Sequence, residues 1–175
     1  MAIKKKKNYV NNAEFYQAMI EYKKAVREAE EGGDDAPRIP NYIGECIYQI
    51  ANRLSYKPNF VNYSYRDDMI ADGLENAIMA INNFDPDKST NPFAYFTQII
   101  YYAFLRRIQK EKKQLYVKHK VIENSLIHDT LVERGTGDDG HGGAAYVDLD
   151  NDYMSDFVEN YEESMRRKKE KANGD

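Results

Sequence analysis

Apolar side chains recur at spacings of three and four along most of the chain, and no stretch alternates apolar with polar residues at the period of a strand. A first helix is predicted from Asn11 or Asn12, with Phe15, Met19, Tyr22 and Val26 on one face and Gly32-Gly33 as its stop. The linker GGDDAPRIPN follows. A second helix is predicted from Asn41 to Ser55, its stripe formed by Ile43, Ile47, Ile50 and Leu54, and Lys57-Pro58-Asn59 ends it. Ser64 reads as the N-cap of a third helix, with Asp67 at its third position. The apolar stripe of that helix is Met69 or Ile70, Leu74, Ala77, Ile78 and Ile81, extending to about Asn83. Gly73 in the middle of this helix has a propensity cost of about 1 kcal/mol relative to alanine, which a close backbone approach would explain.

Asn91-Pro92 then supplies a cap and a proline at the first helical position. A long helix is predicted from Pro92 to at least Lys113, with Phe93, Phe96, Ile100, Phe104 and Ile108 as its core stripe. Beyond about Ser125 the periodicity fades into the Gly-rich ERGTGDDGHGGAA, followed by an acidic segment and a short helix within SDFVENYEESMRRKKEK. The expectation is an all-α chain in three parts: a basic arm, helix and linker over 1–40, a helical domain over 41–125, and a flexible linker with an acidic tail over 126–175.

Composition sharpens this picture in three places. Fifteen tyrosines among 175 residues, with no tryptophan, favour a surface that must be wet and adhesive at once, as in an interaction protein. The single Cys46 lies among apolar residues and excludes an internal disulfide, so a reducing cytoplasm is expected; no apolar run reaches the roughly 20 residues of a membrane span. The net charge of −4 conceals an asymmetry, for Tyr101 to Lys120 holds seven Lys or Arg against Glu111 alone, whereas Asp138 to Glu163 holds nine acids and no Lys or Arg. The acidic segment is therefore expected either to fold back on the basic helix or to stand free as a solvated tail.

The unusual stretch is NPFAYFTQIIYYAFLRR, with six rings, no acid and two adjacent arginines. Projected at about 100° per residue, Tyr95, Gln98, Tyr102, Arg106, Gln109 and Lys113 fall on one line, with Ile99, Tyr101 and Lys110 on its flanks. A face graded from rings to cations suits nucleic acid, because rings stack on unpaired bases and cations neutralise phosphates. A core stripe and a solvated basic face would produce the same pattern. His119, His128 and His141 have neither Cys partners nor metal-binding spacing, and no phosphate loop follows a strand, so no catalytic site, metal or cofactor is expected.

Residues 68–85, DMIADGLENAIMAINNFD, and the following FAYFTQIIYYAFLRRI resemble region 2 of the bacterial sigma-70 family. Asp68, Ile70, Gly73, Ala80, Phe84, Asp85, Tyr95, Thr97, Ile100, Ala103 and Arg106 match its two motifs in order and spacing. NYVNN, MIADG, NNFD, NPFAY, RRIQKEKK and NYEES are further similar to segments of the late-transcription sigma factors of T4-like bacteriophages. The resemblance implies that Asp68, Ala71, Asp72, Leu74, Glu75 and Ile78 bind the clamp helices of the largest catalytic subunit of bacterial core RNA polymerase. Ala71 and Leu74 depart from the polar residues of the family pattern.

It implies equally that promoter DNA is met by Tyr95, Gln98, Ile99, Tyr102, Leu105 and Arg106, to which the rings and cations of the same helix add Phe96, Tyr101, Arg107, Lys110 and Lys113. Gln98 and Ile99 stand where the family carries two tryptophans, and Tyr102 and Leu105 replace its duplex-reading Gln and Thr. No paired helices after Ser125 suggest a reader of the −35 element, so recognition of an AT-rich −10-like element alone is expected, in the cytoplasm of an infected bacterial host. Such late factors also engage a co-activator and the replication sliding clamp; the nearest clamp-binding candidates here are Phe157 and Tyr161. The alternative is a regulator, an anti-sigma or host shut-off decoy, that occupies the clamp helices without reading DNA.

Overall fold

The computed structural model describes the backbone of residues 9–135 and 152–173, and side chains over 9–125 and 156–172. The described residues are α-helical with short connections and include no strand: α1 (Asn12–Gly32), α2 (Asn41–Ser55), α3 (Arg66–Met79), a 3₁₀ turn (Ile81–Asn83), α4 (Pro92–Gly135) and α5 (Asp152–Asn173). None of these helices is long and apolar enough to cross a membrane. The chain forms two compact units, residues 1–109 and 110–175. The divisions expected after residues 40 and 125 do not coincide with them, because α1 shares one core with α2, α3 and the first part of α4.

That core is assembled from the helical stripes. Phe15, Met19, Tyr22 and Val26 of α1, and Ile43, Ile47, Ile50 and Leu54 of α2, are all buried with Phe96, Ile100, Phe104 and Ile108 of α4. Phe15 stacks on Phe96 with ring centroids 5.6 Å apart, and Phe60, from the loop after α2, meets Phe104 edge-on at 5.2 Å. On α3 the buried residues are Met69, Gly73 and Ala77, with Ile70 and Leu74 half-buried and Ile78 turned outward. The stripe expected on this helix is therefore rotated by about one position, and Ile78 leaves it.

Capping explains where the helices begin and end. Asn11 is the N-cap of α1, accepting from the Ala13 amide at 3.1 Å, while Gly33 closes the helix at φ 74°, a left-handed conformation that glycine adopts without strain. Asn12, the other expected cap, serves α4 instead, accepting from the Phe93 amide at 3.2 Å, beside Asn91, which accepts from Ala94 at 3.0 Å. Ser64 caps nothing: α3 starts at Arg66 after Tyr65, without a side-chain cap, and Asp67 and Asp68 supply the negative charge that its N-terminus favours. Past Ser125, the expected end of its periodicity, α4 continues to Gly135, and α5 runs for 22 residues rather than as a short helix.

At Gly73 the backbone of α3 comes close to side chains of α4. A β-carbon there would lie 2.9 Å from Cε1 of Phe104 and 3.0 Å from Cγ2 of Ile100, both fully buried. Gly44 in α2 has open space around the same position. Substituting each by alanine therefore separates propensity from packing. Gly44→Ala is expected to stabilise by about 1 kcal/mol, whereas Gly73→Ala is expected to destabilise, because overpacking of about 1–3 kcal/mol exceeds the same propensity gain. Urea denaturation of both variants checks the opposite signs; a stabilised Gly73→Ala would rule out the tight contact.

Candidate functional site

Along α4 in the first unit, Gln98, Tyr102 and Arg106 are exposed at four-residue spacing and form one outward line, with Tyr102 51% accessible. Ile99, Tyr101 and Leu105 are half-buried shoulders packed against the core. Tyr101 meets Phe60 edge-on at 5.5 Å and Tyr102 at 5.9 Å, so Tyr102 projects from a ring that is itself anchored. Lys110 and Lys113 are exposed but belong to the second unit.

Two residues expected at the DNA face are turned elsewhere. Phe96 is 0% exposed between Phe15, Phe84 and Tyr95, which corrects its assignment to nucleic acid and leaves only its part in the core stripe. Tyr95 is half-buried, with its ring against Phe84 at 5.2 Å and its hydroxyl donating to the Ala80 carbonyl at 3.0 Å. Burial pushes the Tyr95 phenol above its ordinary pKa. The helical projection places Tyr95 near the correct angle, but the 3₁₀ turn after α3 covers it.

The arginines of the stretch reach back to α3. Arg107, with a side chain 18% exposed, bridges Asp68 at 3.2 Å and Asp72 at 3.3 Å. Arg106 donates from Nη2 to Oδ1 of Asn76 at 2.6 Å, and Asn76 in turn donates to the Asp72 carbonyl at 2.7 Å. Arg107 is thus a clamp between α3 and α4 rather than an outward cation, which corrects its expected place among the DNA contacts. Arg106 remains exposed.

The outer face of α3 presents Asp68, Ala71, Glu75 and Ile78, with Asp72 and Leu74 half-buried at its edges. Leu74 and Ile78 also line an open groove of about 340 Å³, closed on its far side by Ile39, Pro40 and Gly44 at the start of α2. The sequence reading missed this half of the groove, as well as Met79, which is 75% exposed at the end of α3. The apolar Ile39 within the otherwise polar linker was the available signal. The six α3 residues expected to form one surface are brought together, and that surface is more apolar than its acids suggested.

In the second unit, Phe157 and Tyr161 of α5 are half-buried, and Tyr161 packs against α4. Tyr161 stacks on Tyr116 at 4.8 Å and on Phe157 at 6.1 Å. Glu162 accepts from the Tyr116 hydroxyl at 2.9 Å and pairs with Lys120 at 3.3 Å. The end of the acidic stretch therefore folds back on the basic helix through Glu162; its part at 138–151 lies outside the described residues, as does His141.

The Tyr116 hydroxyl, followed by Lys120, holds the Glu162 carboxyl below its ordinary value of 4.5, while hydrogen bonds to Glu123 and then Glu162 raise Lys120 above 10.5. A lowered carboxylate stabilises the fold above its unfolded pKa and loses that contribution as pH falls through the folded one. A raised ammonium contributes below its unfolded pKa and loses its share as pH rises through the folded one. Protection of α5 amides from hydrogen exchange is accordingly expected to decline below about pH 4.5. Glu162→Gln should flatten that acid limb; an unchanged limb would show that the contact contributes nothing.

No three His, Cys, Asp or Glu side chains among the described residues group as a metal site would require. No curated protein matches the chain. Residues 46–114, which hold α2 from Cys46 onward, α3 and the exposed line of α4, match the family model Sigma-70 region 2. A domain of that family implies binding to core RNA polymerase and to promoter DNA, and it is not an enzyme domain. With its two motifs placed on α3 and α4 of one helical unit, this match supports a member of the sigma-70 family.

Proposed function

We propose that this protein is a late sigma factor of a bacteriophage. It binds the host core RNA polymerase through the outer face of α3 and directs it to late promoters by recognising and melting an AT-rich −10-like element. The supporting observation is the pair of outward surfaces on the first unit: Asp68, Ala71, Glu75 and Ile78 on α3, and Gln98, Tyr102 and Arg106 on α4. The groove of Leu74, Ile78, Ile39 and Pro40 extends the first surface and gives a clamp helix an apolar seat. On the second surface Tyr102 is the exposed ring, so base stacking is assigned to it, with Ile99 as the apolar shoulder beside it. A co-activator is part of this reading. Direct contact of Phe157 and Tyr161 with a sliding clamp is not, because both rings are engaged within the second unit.

The test is run-off transcription with host core enzyme from a TATA-containing promoter. A specific start is expected, and Tyr102→Ala should reduce open-complex formation about tenfold, the loss of one stacked base at 1–3 kcal/mol. No specific start refutes the reading.

The decoy reading is favoured by one observation, that Arg107 is spent on Asp68 and Asp72 and Arg106 on Asn76. The two readings separate on Tyr102→Ala and Gln98→Ala. A sigma factor keeps core binding and loses promoter opening in these variants, whereas a decoy is indifferent to both.

A further inference from the structure

The second unit leaves apolar surface uncovered where its helices meet. Among its described side chains Val158 alone is buried, at 9% exposure, while Val117 and Met165 are 48% and 41% exposed. These two, with Tyr116 and Tyr161, floor an open groove of about 420 Å³ between α4 and α5. Two helices have little core of their own, and tertiary packing of an amphipathic face supplies most helical stability. A third helix laid along the groove would cover this floor.

The rim states the charge of the occupant. Lys113, Arg166 and Lys169 line it. Lys113 and Lys169 have no ion-pair partner among the described residues, and Arg166 reaches only Glu170, at 3.9 Å. Glu162, the one acid among the described residues lining the groove, is engaged by Tyr116 and Lys120. Apolar floor and cationic rim repeat at helical spacing, Tyr161, Met165 and Lys169 standing four residues apart on α5.

We propose that this groove docks an acidic amphipathic helix of a partner protein, its apolar side chains on Val117 and Met165 and its carboxylates on Lys113, Arg166 and Lys169. A second copy of this chain is a poor occupant, because a two-fold contact would set the same cations against one another. Nucleic acid is also a poor occupant. The rings stack on each other, leaving no platform between them, and phosphates gain nothing from Val117 and Met165.

The experiment uses the full chain and two labelled synthetic helices with identical leucine positions, one with a glutamate polar face and one with lysine. Fluorescence anisotropy is expected to show the glutamate helix binding about tenfold more tightly, and Lys113→Glu with Lys169→Glu is expected to reverse that preference. Val117→Asp should weaken both helices; the double lysine variant, changed only at exposed positions, keeps the test valid should Val117→Asp unfold the unit. Equal affinities, or a preference indifferent to the lysine reversal, overturn the proposal. So does a concentration-dependent dimer abolished by Val117→Asp, which would assign the groove to a second copy. Deletion of residues 138–149 that raises peptide affinity only while Lys113 and Lys169 are intact would assign it to the chain's own acidic segment, and would likewise overturn the partner. These outcomes do not depend on promoter activity.

Discussion

Replacing Phe96 by alanine is expected to lower the stability of the first unit by about 3–5 kcal/mol, a large part of the 5–15 kcal/mol that a domain commands. The ring is fully buried, stacked on Phe15 at 5.6 Å and on Phe84 at 6.4 Å, with Tyr95 edge-on at 5.1 Å. Truncation removes a ring packed between Phe15 of α1, Phe84 just after the 3₁₀ turn and its own helix α4, so the cavity cannot collapse by moving one of them. Chemical denaturation of the isolated protein measures the effect. Tyr102→Ala is the contrast: its ring is half exposed and should change stability by no more than about 0.5 kcal/mol. A Phe96→Ala protein as stable as the parent but deficient in promoter opening would return Phe96 to the DNA face.

Phe96 and Tyr102 lie on one helix six residues apart, and the difference between them was half legible in the sequence. Three-and-four spacing found the buried stripe of α4, the full stripes of α1 and α2, the bounds of α2 and the close approach at Gly73, because each follows from local periodicity or from a single residue's geometry. The same projection could not see what covers the rim of a stripe. Tyr95 points toward the expected face, yet the chain after α3 reaches its ring and offers it the Ala80 carbonyl. Asn12 caps a helix 81 residues away, a partnership with no local signal. The helix boundary after Ser125 was also misplaced: α4 continues to Gly135 through LIHDTLVERG, in which Leu126, Ile127, Leu131 and Val132 still recur among polar residues.

The arginine pair marks the same limit, and the second large effect follows from it. Asp68 and Asp72 are one helical turn apart, a spacing at which like charges destabilise a helix, and Arg107 holds both carboxylates. Its side chain is 18% exposed and that of Asp72 33%, so the bridge lies between the weak surface pair and the fully buried one. Arg107→Met should therefore cost about 1–3 kcal/mol, since it leaves two acids facing each other at the α3/α4 seam. Asp68→Asn in the Arg107→Met background should recover part of that loss by removing the repulsion, and a double-mutant cycle on denaturation midpoints would measure the coupling. Arg106→Ala, at an exposed position, should cost no more than about 0.5 kcal/mol. Reversing the charge of both arginines together would thus confound folding with DNA binding, and Arg106 alone is the informative cation. Equal stability losses at the two positions, or no rescue by Asp68→Asn, would show that Arg107 is not the clamp. In that case Asp68 and Asp72 would be as free for the polymerase as Glu75.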